Sequence, residues 1–164
     1  MARVALVTGG SRGIGAAISI GLKKAGYTVA ANYAGNDEAA QAFTKETGIP
    51  TYKWDVSNYD ACVAGIAKVE AAHGPVEILI NNAGLAFGTE PLQAGQIDDW
   101  EKMIDTNLKG LIYMTRNLLP FLLKNKGGHV VNIGSVAGHV TYPRGHVYNA
   151  SKAAVRALTE AIRF

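Results

Sequence analysis

The segment that leaves this chain the fewest folds is Thr8-Gly9-Gly10-Ser11-Arg12-Gly13-Ile14-Gly15, eight residues of which four are glycine. An apolar run, Arg3–Thr8, leads straight into it, as a buried strand ending at a turn does. Beyond it, Ile14, Ile18 and Leu22 recur every fourth residue through Gly13–Ala25. That spacing predicts a helix with one apolar stripe, closed by Gly26. A strand and a helix joined by so few residues must reverse direction tightly, which glycine permits. The chain therefore opens as the first half of a βαβ unit.

The alternation continues. Tyr27–Tyr33 reads as a strand, Asp37–Thr47 as a helix and Pro50–Trp54 as a third strand. Asn58–Ala72 is helical, with Val63, Ile66, Ala67 and Val69 available to face inward, and Gly74-Pro75 breaks it before a fourth strand, Val76–Ile80. After the loop Asn81–Gly95, the segment Ile97–Asn125 is largely helical, interrupted around Asn107–Gly110 and at Pro120. His129–Ile133 is a fifth strand and Tyr148–Phe164 a last helix. Such a series predicts right-handed crossovers and a parallel sheet covered on both faces. The fold class is α/β, a Rossmann-like doubly wound sheet with its ligand at the carboxyl ends of the strands. Residues 1–164 read as one dinucleotide-binding domain. An amphipathic helix pattern still running at Phe164 and a fifth strand left as a bare edge predict a C-terminally truncated version of that fold.

Composition narrows the partners. The net charge is only +3, from 16 Lys+Arg against 13 Asp+Glu, and the densest basic groups are Lys23-Lys24 and Lys124-Asn125-Lys126. A nucleic-acid surface needs a concentrated stripe, so no such partner is expected. Cys62 is the single cysteine, so it forms no intrachain disulfide; a small residue on a helix face is its expected place. His73 and His129 lack companions for a metal site. The apolar stretch Leu118–Leu123 is too short to span a bilayer, and the N-terminus enters a strand at once, with no room for a secretory signal. A reducing cytoplasm is the expected compartment.

The glycine loop suits a pyrophosphate. Glycines let the backbone approach it, and the following helix offers free N–H groups with a partial positive charge. Gly9, Ser11, Arg12, Gly13, Ile14 and Gly15 are therefore candidate cofactor contacts. An acid at the end of the second strand would hold a ribose 2′-hydroxyl and repel a 2′-phosphate. Here that stretch is Ala30-Ala31-Asn32-Tyr33-Ala34, and the first acid, Asp37, belongs to the next helix. With Asn32 rather than an acid there, and Arg12 available as a phosphate clamp, NADP(H) is favoured over NAD(H).

Ser135 follows the fifth strand by two residues, and Tyr148 and Lys152 lie four apart on one face of the next helix. A free phenol, with a pKa of about 10, is a poor acid–base catalyst at neutral pH. A neighbouring ammonium favours the phenolate and brings the group nearer to use. Ser135 is placed to polarise a substrate oxygen. His139, Tyr142, Arg144 and His146 lie between Ser135 and Tyr148 as pocket-rim candidates, while Trp54 and Trp100 read as packing residues.

Together the loop Thr8–Gly15, Asn81-Asn82-Ala83-Gly84, Asn107, Ser135 and Tyr148-x-x-x-Lys152 resemble the short-chain dehydrogenase/reductases. The resemblance changes emphasis midway. Arg3–Gly84, especially Val29–Asn36, resembles acetoacetyl-CoA reductases, and the stretch from Leu85 on resembles 3-hydroxy acid dehydrogenases. It implies Tyr148 as general acid in reduction, Lys152 as both its tuner and a ribose ligand, Ser135 as the carbonyl orienter and Asn107 as holder of a relay water. It also implies Asp55 and Val56 at the adenine side, and Asn81, Ala83 and Gly84 as strand-end cofactor contacts. Members continue with two further strands and a variable substrate-binding region for which this sequence has no counterpart, and they assemble as homo-oligomers. The expected activity is hydride transfer between NADP(H) and a small 3-oxo or 3-hydroxy carbonyl compound. The alternative is a non-catalytic dinucleotide-binding module or an assembly-dependent fragment.

Overall fold

β1 (Val4–Val7) is buried along its whole length because it is paired on both sides, with β2 (Thr28–Tyr33) and with β4 (Val76–Asn81). β3 (Thr51–Lys53) adds beyond β2 and β5 (His129–Asn132) beyond β4, giving the order β3-β2-β1-β4-β5 with every pair parallel. Val7 sits beside both Ala31 and Ile80, which brings the ends of three strands into line. The order reverses direction between β1 and β4, so a crevice opens at their carboxyl ends. The computed structural model describes residues 2–124 and 127–163.

Alternate residues of β1 enter two different cores, as the period of a strand requires. Ala5 and Val7 pack with Val29, Ala31, Phe43 and Ile49 beneath α1 (Gly13–Lys24) and α2 (Asp37–Thr47). Val4 and Leu6 pack with Ile66, Val69, Met114 and Leu118 of α3 (Tyr59–His73) and α5 (Leu111–Lys124) on the opposite face. This is the doubly wound sheet that the sequence predicts.

Three local expectations change. Ile14 is 67% exposed, and α1 turns Gly15 and Ser19 inward instead, with Ile18 and Leu22 packed beside them. The first turn of the helix overhangs the sheet, so a residue there meets the crevice rather than the core. On α3, Val63 and Ala67 are exposed, and Cys62, Gly65, Ile66 and Val69 form the inner face. The Trp54 indole lies against Gly65, where any Cβ would collide with the ring, so a glycine sets that face. Pro120 does not interrupt α5; it is exposed, where the carbonyl its ring displaces can be hydrated.

The break expected around Asn107–Gly110 is a π-helical turn, Asp105–Gly110, between α4 (Ile97–Ile104) and α5. α6 (His146–Ala161) begins one residue past Gly145 and two before Tyr148. The helical readings at Asn125 and Phe164, and the basic group Lys124-Asn125-Lys126, fall partly outside the described residues. Among the described residues, no helix is long and apolar enough to cross a membrane.

Candidate active site

The glycine loop is held by the strands on both sides of β1. Gly9 and Gly13 adopt φ of +60° and +51°, a region that favours glycine. Thr8 Oγ1 accepts from the backbone N–H groups of Asn82 and Ala83, both at 3.0 Å. Asn82 Nδ2 donates back to the carbonyls of Thr8 and Gly9, at 2.9 and 3.1 Å. From the β2 side, Asn32 Oδ1 accepts from Gly9 N at 3.3 Å, and Asn32 Nδ2 donates to the Trp54 carbonyl at 2.9 Å. Gly15 lies so near this knot that a Cβ would stand 2.5 Å from Asn82 Nδ2 and collide with the Gly9 carbonyl. Sequence reasoning did not single out Thr8, Ser19 or Asn82 as site residues. Thr8 and Asn82 stand in the motifs, but their work is holding the loop; Ser19 lies outside them, and its Oγ donates to the Gly10 carbonyl at 2.9 Å.

At the other end, α6 carries Tyr148 and Lys152. Lys152 is only 7% exposed, and its Nζ donates to the Ile133 carbonyl at 3.0 Å. Burial pushes the ammonium below the ordinary lysine value. Ser135 caps the short 3₁₀ turn Val136–Gly138, its Oγ accepting from Ala137 N at 3.1 Å. That turn is seated directly on α6: a Cβ on Gly138 would stand 2.6 Å from the Lys152 carbonyl oxygen.

The π-turn supplies the third wall. Asn107 is buried, with Oδ1 accepting from Leu85 N and Nδ2 donating to Leu85 O, both at 2.9 Å. The same Nδ2 reaches Ser151 Oγ at 3.1 Å, and Ser151 donates to the Tyr148 carbonyl at 2.8 Å. Ser151 thus ties the π-turn to the helical turn between Tyr148 and Lys152, a role no periodicity announces. A Cβ on Gly84 would lie 3.3 Å from Asn107 Oδ1 and 3.6 Å from Lys152 Nζ, so the segment that follows β4 runs close to both.

A cleft of about 730 Å³ joins these parts. Of the sequence candidates, Gly9, Ser11, Arg12, Ile14, Gly15 and Asn32 line it at the loop, with Asp55 and Val56 beside them. Ala83, Gly84, Tyr148 and Lys152 line it toward α6. Tyr33, Asn36 and Trp54 line it too, and sequence reasoning had not placed them there. Gly13, Asn81, Asn107 and Ser135 stand outside the lining; Asn81 Nδ2 is spent on Thr115 Oγ1 and Asn132 Oδ1, at 3.0 and 2.9 Å. The rim candidates His139, Tyr142, Arg144 and His146 also stand outside it. His146 Nε2 instead meets the Glu90 carbonyl at 3.0 Å, with its ring edge-on to Trp100. The volume, the N–H-rich loop and the glycine approach at Gly15 fit a dinucleotide laid from Arg12 to Tyr148.

Residues 3–164 match the short chain dehydrogenase family. The chain belongs to that family. The acetoacetyl-CoA reductase of Paracoccus denitrificans is 53% identical to this short-chain dehydrogenase, over 99% of this chain and 66% of the relative. The NADP-dependent 3-hydroxy acid dehydrogenase YdfG of Shigella flexneri is 42% identical, over 98% of this chain and 65% of the relative. Among solved structures, the closed form of a serine dehydrogenase complexed with NADP⁺ superposes with a TM-score of 0.92 at 41% identity, covering 98% of this chain and 65% of that one. The chain therefore spans about two thirds of the length of the curated relatives it matches.

Proposed function

We propose that this chain is an NADP(H)-dependent oxidoreductase whose substrates are small 3-oxo or 3-hydroxy carbonyl compounds, with residues 1–164 acting as one dinucleotide-binding catalytic domain. The observation that carries the reading is the single cleft that contains both the glycine loop and the Tyr148–Lys152 turn. The two relatives' names, an acetoacetyl-CoA reductase and a 3-hydroxy acid dehydrogenase, supply the substrate class.

When bound, NADP(H) supplies or takes up the hydride. The loop N–H groups and Arg12 hold its phosphates, while Asp55 and Val56 border the adenine side. Tyr148 gives its phenolic proton to the substrate oxygen in reduction and recovers it in oxidation. Ser135 orients that oxygen; its hydroxyl accepts from Ala137, which leaves its own proton to donate. Lys152 holds ribose hydroxyls beside Tyr148. Asn107 holds a water of the proton relay; its carboxamide is already bound to Leu85 and Ser151, so that water would meet its main-chain carbonyl. Ala83 and Gly84, just past the end of β4, would border the cofactor, and Asn81 would support that segment from behind through Thr115 and Asn132. The protein works in the cytoplasm as a homo-oligomer, a reading supported by the single buried thiol and by exposed apolar residues such as Ile112 on α5.

The test is to follow NADPH absorbance with acetoacetyl-CoA, and NADP⁺ reduction with 3-hydroxy acids, while titrating nucleotide binding in parallel. NADPH consumption is expected with the 3-oxo substrate. Tight NADPH binding with no turnover on any 3-oxo or 3-hydroxy compound would favour the non-catalytic module instead.

A further inference from the structure

The acid nearest the end of β2 is Asp37, the first residue of α2, and both of its carboxylate oxygens are engaged. Tyr33 Oη donates to Oδ1 at 3.0 Å, and Lys53 Nζ stands 2.8 Å from Oδ2. Strand pairing assembles the group. Tyr33 and Lys53 are neighbours on the parallel β2–β3 ladder, and Asp37 follows Tyr33 by one short loop. Tyr33, Ala34, Gly35 and Asn36 line the cleft, as does Arg12. Of the group, Tyr33 reaches the part of the cleft that follows β2, while Asp37 and Lys53 stand behind it, outside the lining.

The Lys53 hydrogen bond, and then that of Tyr33, holds the Asp37 carboxyl below its ordinary range, and Asp37 in turn holds Lys53 above its own. Acid and base are both ionised at neutral pH, and the pair adds no net charge. Without Lys53, the carboxylate would keep the Tyr33 hydrogen bond but lose its counter-charge. Such an acid attracts a ribose 2′-hydroxyl and repels a 2′-phosphate. With Lys53 in place, the positive charge of Arg12 is not offset by Asp37.

We propose that Lys53 determines nucleotide specificity at a distance, by pairing with Asp37 so that an acid beside β2 does not exclude a 2′-phosphate. The inference rests on the NADP(H) reading of the cleft. Lys53 acts through Asp37, and its own ammonium is not a phosphate ligand.

The experiment titrates NADPH and NADH separately, by quenching of intrinsic fluorescence, into the wild-type chain, Lys53→Met, Asp37→Asn and the double variant. Lys53→Met is expected to weaken NADPH about five- to tenfold and to leave NADH within about twofold, an effect that shrinks in 1 M salt, where the screening length falls to about 3 Å. The double variant is expected to regain wild-type NADPH affinity within about twofold, because the charge that Lys53 masks is then gone. Asp37→Asn alone is expected to bind NADPH at least as well as wild type. The group is solvent-exposed, so all variants are expected to melt within about 3 °C of wild type, which separates binding from folding. Equal losses for NADPH and NADH in Lys53→Met would overturn the proposal, as would an unchanged NADPH affinity. A double variant as weak as Lys53→Met would also overturn it, because Lys53 would then touch the phosphate itself. A wild-type chain with no preference for NADPH would refute the underlying cofactor reading, whereas a wild-type preference that survives Lys53→Met would refute only the masking role.

Discussion

At Lys152 a cation is held in a place that penalises its charge, 3.0 Å from the Ile133 carbonyl and nearly closed off from solvent. Its folded-state pKa lies below its unfolded value, so the unfolded chain binds the proton more tightly. The destabilisation is present below the depressed value and is relieved as pH rises through it toward the ordinary lysine value of about 10.4. Lys152→Met keeps the stem and removes the charge. It should melt no more than about 2 °C below wild type at pH 7, and higher if desolvation outweighs the lost hydrogen bond, while losing turnover at least a hundredfold. A calorimetric scan and an NADPH assay check the two parts. A large fall in melting temperature would mean that Lys152 is there for stability. Cys62 shows the converse case. Burial, with a smaller push from Asp55, drives its thiol from 9.0 up to about 11, and its Sγ donates to the Val56 carbonyl. The raised value adds stability below pH 9 that is lost as pH climbs through about 11. In the native protein at pH 8 the thiol should resist an aromatic disulfide reagent, then react fully in guanidinium. Reaction at the rate of an exposed thiol would contradict its burial in the core.

Among the elements, the glycine loop separates two kinds of glycine that the sequence presents alike. Gly13 has φ of +51° with open space where a Cβ would go, so Gly13→Ala should cost only the strain of a left-handed alanine, about 1 kcal/mol. Gly15 is packed on the Gly9 carbonyl and Asn82, so Gly15→Ala must part the loop from the end of β4. It should weaken NADPH binding more than tenfold while Gly13→Ala stays within about threefold, measured by titration with thermal melts as control. Similar affinities for the two would mean that the loop does not hold the phosphates. The strand–loop–helix order was legible in the sequence because apolar runs and glycine turns are local signals. The facing of α1 and α3 was not. Ile14 has the right spacing for the core but sits on a turn that overhangs the sheet, and α3 is oriented by the contact of Trp54 with Gly65, which no hydrophobic period encodes. Ser151 escaped for a similar reason: it bonds Asn107 across 44 residues of sequence and so joins it to Tyr148, seen only once the π-turn is in place.

For the molecule as a whole, the strand order does what individual motifs cannot. Placing β1 between β2 and β4 carries the glycine loop, Asn32 and the Asn82-Ala83-Gly84 segment to one edge of the sheet. Adding β5 beside β4 then sets α6 against that edge, with Lys152 bonded to the residue that follows β5. Ser135, Tyr148 and Lys152 were readable from their spacing, but their relation to the loop needed the crossovers. β5 pairs with β4 alone among the described residues, and Val131 on it is 44% exposed, so this edge is the least covered part of the sheet. Whether one cleft serves both nucleotide binding and proton transfer is decided by Tyr148→Phe, with NADPH binding and NADPH-dependent reduction of acetoacetyl-CoA measured on the same preparations. The variant is expected to bind NADPH within about threefold of wild type while turnover falls at least a hundredfold, the phenolic proton being all that was removed. Turnover that survives in Tyr148→Phe would contradict that dual role.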